Sequence, residues 1–172
     1  MRNLLVIGII CLLALAVGAW LYFGALHGSS ASLPSLPQPS AVSIGFQTLD
    51  SGTMANEPVR KNYAIYTQAA FTDFWQKAHG DTKSMPIIDF SKDYVIAVFA
   101  GTEPTHGYAV SVEKIIDTPS QRSVTIAVTE PGANCPTVEE PSSPYVFVSV
   151  PVTSVETLAH TDDEVRQDCP AP

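Results

Sequence analysis

Four histidines (positions 27, 79, 106 and 160), three cysteines (11, 135 and 169) and two acidic pairs, Glu139–Glu140 and Asp162–Asp163, are the side chains here most suited to chemistry. Zinc sites draw on His and Cys at short fixed spacings, such as His-x-x-x-His or Cys-x-x-Cys. Neither spacing occurs, so no metal site is expected. There is no Gly-x-Ser-x-Gly elbow, P-loop or dinucleotide fingerprint either. The acidic pairs read as solvated loop charge rather than as paired catalytic acids. The sequence therefore reads as that of a non-enzyme, with no catalytic residue, cofactor or small-molecule substrate expected.

A more informative segment is Gly101-Thr102-Glu103-Pro104-Thr105-His106-Gly107, followed by Tyr108. Glycine reaches positive φ without a steric penalty, so Gly101 and Gly107 can turn the chain at both ends. Pro104 stiffens the middle and lowers the entropy lost on binding. Such a loop serves equally as a rigid hairpin connection or as a recognition element. Glu103, Pro104, Thr105, His106, Gly107 and Tyr108 are the candidate partner-binding residues.

The formal charge is −8, from 17 acidic and 9 basic residues, and beyond Arg2 the basic residues cluster only as Arg60–Lys61. Nucleic-acid binding requires a cationic stripe that neutralises phosphates, so nucleic-acid partners are not expected. Cys11 lies in an apolar stretch away from the other two cysteines. Cys135 and Cys169 are compatible with one disulfide in an oxidising compartment and with two free thiols otherwise.

From Leu4 to Leu26 the chain runs 23 residues without a charge. About 20 such residues cross a bilayer core as a helix, whereas a cleavable signal usually has an apolar core of about 7–15. Length thus favours a transmembrane anchor over residues 1–26, with Trp20 and Tyr22 at one interface. Cleavage after Ala31 stays open as the alternative. Arg2 places the N-terminus in the cytoplasm by the positive-inside rule and residues 27–172 outside, in a single-pass arrangement. Residues 27–41, with three prolines and five serines, read as a solvated linker.

Residues 42–172 must supply the elements that hold the loop. Val42–Thr48 alternates weakly, and Tyr63–Tyr66 is β-prone. Tyr94–Ala100 is a continuous apolar run, which suggests a central strand covered on both faces. Tyr108–Ile116, Ser123–Val128 and Tyr145–Val150 suggest three more strands, and Val155–Leu158 a short last one before an acidic, mobile tail. One helix is expected from about Gln68 to His79. Ala70, Phe71, Phe74, Trp75 and Ala78 form its apolar stripe, with Thr67 as N-cap and Gly80 at its end. The expected fold class is α+β: a mainly antiparallel sheet with one packed helix covering it, preceded by the single transmembrane helix.

Three marks give this chain a family likeness. They are Asp89-Phe90-Ser91-Lys92 before an apolar strand, the Gly-x-x-Pro-Thr-x-Gly-Tyr loop from Gly101 to Tyr108, and Ser143-Pro144-Tyr145 before the last strong strand. With the upstream helix carrying Phe74 and Trp75, roughly Phe46 to Pro151 resembles the PrcB-like family, the protease-complex-stability or PrcB C-terminal domain. The resemblance implies a non-enzymatic, extracytoplasmic domain of a bacterial cell membrane that binds protein and supports the assembly or stability of a partner complex, such as a protease. The sequence departs from the family's common Pro-Thr-Gly-Gly-Tyr loop by carrying His106 in place of the first glycine. Glu103–Tyr108 is also similar to the Asn-Pro-Thr-Thr-Gly-Tyr-type loop of chagasin-like cysteine-protease inhibitors, which implies peptidase inhibition as the alternative activity.

Overall fold

A computed structural model of the chain describes residues 40–169. The expected anchor (1–26) and nearly all of the expected linker (27–41) lie outside the described residues. Within them run eight strands and one helix: β1 (Val42–Ile44), β2 (Gln47–Gly52), β3 (Lys61–Ile65), α1 (Gln68–His79), β4 (Asp93–Phe99), β5 (Ala109–Asp117), β6 (Gln121–Pro131), β7 (Tyr145–Pro151) and β8 (Thr157–Gln167). No described helix is long and apolar enough to cross a membrane.

The strands form two four-stranded sheets, ordered β1-β5-β6-β8 and β2-β7-β4-β3. Neighbours pair antiparallel except β8, which runs parallel to β6. The expected mainly antiparallel α+β fold with one helix is present. The expectation of a single sheet under the helix is corrected, because two sheets share the core.

Strand β4 explains the layering. Successive side chains of a strand point to opposite faces, and β4 is apolar on both. Tyr94, Ile96 and Val98 face the other sheet and pack with Val110, Val112, Ile115, Val124 and Ile126. Val95, Ala97 and Phe99 face outward and are covered by Phe71, Trp75 and Ala78 of the helix. The neighbouring strand β7 repeats the pattern, with Val146, Val148 and Val150 inward and Tyr145 and Phe147 toward the helix. The covering strands of the other sheet have only one apolar face, so they alternate. Each fully buried side chain of this size contributes about 1.5–3 kcal/mol.

Helix α1 starts where the Thr67 hydroxyl accepts a hydrogen bond from the Ala70 N–H (3.3 Å). It ends at Gly80, whose φ of 56° suits glycine and whose N–H donates to the Gln76 carbonyl at 2.7 Å. The expected short final strand is instead eleven residues long. The acidic stretch expected to be tail, Asp162–Asp163 included, is β8 itself. A polar, mostly exposed segment has no apolar alternation to betray it. Its order comes from the ladder with β6 and from a disulfide between Cys135 and Cys169.

The β5–β6 hairpin end is fastened by Arg122. Its guanidinium is buried, meets Asp117 through two bonds (2.6 and 2.7 Å), and donates to the Pro151 carbonyl of β7 at 2.6 Å. The two sheets are thereby joined at the end where Val42 enters, since Val42 is the register partner of Asp117.

Candidate functional site

The opposite end of the sandwich, about 30 Å away along the nine residues of β5, carries the 101–108 loop. Gly101 and Gly107 have φ of 90° and 98°, as their expected turning role requires. A side chain at Gly101 would also come within 2.8 Å of the Arg60 backbone nitrogen. His106 has no positive φ. A residue with a side chain is therefore accommodated where the resemblance leads one to expect glycine.

The loop does not stand alone. Glu103 and Ser142 exchange backbone hydrogen bonds in both directions (2.8 and 3.0 Å), and the His106 N–H donates to the Val138 carbonyl at 3.1 Å. The Ser142 hydroxyl donates to the Thr105 carbonyl at 2.7 Å. A third segment joins them: Ser143 donates to the Thr53 carbonyl (2.6 Å), Ala55 to Ser143 (2.9 Å) and Thr102 to Pro58 (3.2 Å). The Ser143 hydroxyl adds a bond to the Glu57 carbonyl at 3.1 Å. Residues 53–59, 102–106 and 138–143 thus form one platform zipped by backbone bonds.

On this platform Pro104 and Gly107 are exposed, while Glu103, Thr105, His106 and Tyr108 are half-buried. The six candidate residues are therefore contiguous, but their backbone is engaged with 138–143 rather than projecting as a free wedge. That arrangement lends nothing to the inhibitor-like alternative. Exposed apolar side chains, Met54, Val59 and Val138, come from the two flanking segments. Met54, Ala55, Thr102, Pro141, Ser142 and Ser143 line a shallow depression of about 210 Å³. Sequence reading missed the flanking segments because no local pattern marks a backbone that zips to a distant loop.

Charge around the platform is acidic. Partial burial, helped by the nearby Glu130 charge, pushes the Glu103 carboxyl above the usual carboxylate range. The His106 ring lies 3.8 Å from Glu140. The disulfide lies at this end too: Cys135 opens the segment leading to Val138, and Cys169 follows β8. Among the described residues no group of three His, Cys, Asp or Glu could hold a metal ion.

A second polar cluster, also missed, fastens the C-terminal turn of α1. His79 Nδ1 meets the Trp75 carbonyl at 2.9 Å, and Nε2 meets Asp50 and the Tyr145 hydroxyl. Lys83 and Tyr145 donate to the same carboxylate. Burial alone would raise the Asp50 carboxyl, but these donors outweigh it and hold it below its usual value. The His79 side chain is only 6% exposed. The cluster is a clamp between helix and sheet.

The Asp89-Phe90-Ser91-Lys92 mark is a tight turn into β4. Hydrogen bonds from the Ser91 hydroxyl, the Lys92 ammonium and the Ser91 N–H lower the Asp89 carboxyl to about 2.

Residues 94–151 match the family model described as PrcB C-terminal, which bears out the resemblance over that stretch. The matched residues run from β4 through β7 and include two of the three platform segments, 102–106 and 138–143. The Asp89-Phe90-Ser91-Lys92 mark and the helix with Phe74 and Trp75, which the likeness also drew on, precede the match. No curated protein and no solved structure matches the chain.

Proposed function

Starting from the PrcB C-terminal match over residues 94–151, we propose that this domain is a protein-binding module of a protease-related complex and that it meets its partner through the platform. The observation that carries the reading is the platform itself. Three chain segments distant in sequence are zipped into one surface that presents Met54, Val59 and Val138 to solvent. Apolar side chains exposed on a rigid backbone support binding, because little further ordering is needed when a partner covers them. The six loop residues, Glu103 to Tyr108, form one part of this surface.

The proposed setting is the outer side of a bacterial membrane, with residues 1–26 as anchor and 27–41 as tether. The disulfide supports an oxidising compartment. The chain enters the described domain beside Asp117, at the end away from the platform. No catalytic role is proposed, and the partner is a protein.

Photo-crosslinking in intact cells tests this reading. A crosslinker at Thr102 or Val138 is expected to capture one defined protein, whereas one at Ser120, at the opposite end, is not. Met54→Asp with Val138→Asp should lower the yield roughly tenfold, as loss of central interface contacts does. Equal capture from both ends, or none from the platform, would overturn the assignment.

A further inference from the structure

Strand β8 is the edge of its sheet. Its eleven residues pair with β6 without a register shift, and among the described residues nothing pairs with its other side. The direction of its free bonds follows from its end. The Gln167 carbonyl turns toward β6's continuation, where it accepts from the Gly132 N–H at 2.8 Å. Backbone polar groups alternate sides along a strand. Leu158, His160, Asp162, Glu164 and Arg166 therefore turn their N–H and C=O groups toward the free edge.

Two features say what could use that edge. Beside it, between β8 and β3, lies a cleft of about 230 Å³, lined by Asn62, Ala64, Ile96, Ile126, Leu158 and His160 among others. It can receive an aliphatic side chain carried in on a strand. Along the edge runs Asp162-Asp163-Glu164. Asp162 is paired with Arg60 at 2.7 Å, while Asp163 and Glu164 have no cationic partner among the described residues. Antiparallel pairing of two β8 strands about this stretch would set carboxylates against carboxylates, which is destabilising. The charge complement is a basic segment.

We propose that β8 accepts an extended segment of another protein, bearing two adjacent basic residues among aliphatic ones, by strand addition. Adjacent strand residues face opposite sides, so one basic side chain meets Asp163 on the outer face, the next meets Glu164 on the inner face, and an aliphatic side chain on that inner face enters the cleft beside Leu158. The disulfide holds the end of β8 in place, so the edge is formed before the partner arrives. This surface is separate from the platform, and its test does not depend on the platform reading.

The probe is a short valine-rich peptide with two adjacent lysines, added to the full-length chain, with its counterpart carrying two glutamates as control. The lysine peptide is expected to bind in a salt-sensitive manner and to shift the amide resonances of Leu158, His160, Asp162 and Glu164. Asp163→Lys with Glu164→Lys should weaken binding at least tenfold, about what losing two charge contacts costs. Glu164→Pro removes a free-edge donor without touching the β6 ladder and should weaken it similarly. The lysine peptide N-methylated along one edge gives the same backbone test on unaltered protein, and it should not bind. Equal binding of both parent peptides, binding that survives N-methylation, or self-association of the chain through β8 would each overturn the proposal.

Discussion

Glu103 shows how one residue of the platform divides its roles. Its backbone completes the bridge to Ser142, while its side chain is half-buried near Glu130. Burial first, and then the Glu130 charge, raise the carboxyl above its ordinary value. A carboxyl raised on folding costs stability as pH rises from the unfolded pKa through the folded one. The cost is absent in acid and complete above the carboxylate range. Glu103→Gln should therefore raise the melting temperature slightly at neutral pH, by less than about 1 kcal/mol of stability. The difference from the parent should vanish below about pH 4. Thermal melts of both proteins across that range check the sign.

Among the elements, the β5–β6 hairpin depends on a buried ion pair. Arg122 spends its guanidinium on Asp117 and on the Pro151 carbonyl, and is 2% exposed. The hydrogen bond from Arg122 holds the Asp117 carboxyl below its usual value against the opposing effect of burial. A carboxyl lowered on folding contributes stability above its unfolded pKa, and that contribution is lost as pH falls through the folded value. Arg122→Ala should cost about 3–5 kcal/mol at neutral pH, because it leaves Asp117 partly buried without its partner. It should also flatten the acid dependence of stability. Denaturant titrations at neutral and acid pH measure both effects.

For the whole molecule, the disulfide connects the two structures proposed to bind partners. It joins the segment leading to the platform with the end of β8, across a sequence separation of 34. Closing a loop of that length is worth about 3–4 kcal/mol in the chain-entropy model. Cys135→Ser with Cys169→Ser should lower stability by about that amount. Hydrogen exchange should quicken first at Thr161, Asp163 and Val165, the β8 residues whose backbone faces β6. Uniform exchange across both sheets would show instead that β8 is held by its ladder alone.

Much of this protein was written in short-range pattern. The boundaries of α1, its Thr67 and Gly80 caps, the two-faced apolar run of β4 and the turning glycines at 101 and 107 follow from the preferences of neighbouring residues, so sequence alone determined them. Other features depend on which distant segments meet, and only the tertiary structure decided those. The second sheet, the parallel placement of β8 and the clamp of Asp50, His79, Lys83 and Tyr145 are of that kind. So is the zipping of Glu103 to Ser142. The six candidate loop residues were legible as a stiff loop, whereas Met54 and Val138 gained their place only through backbone bonds to it. A backbone hydrogen bond is indifferent to side-chain identity, so the contacts that assemble the platform leave almost no trace in residue type.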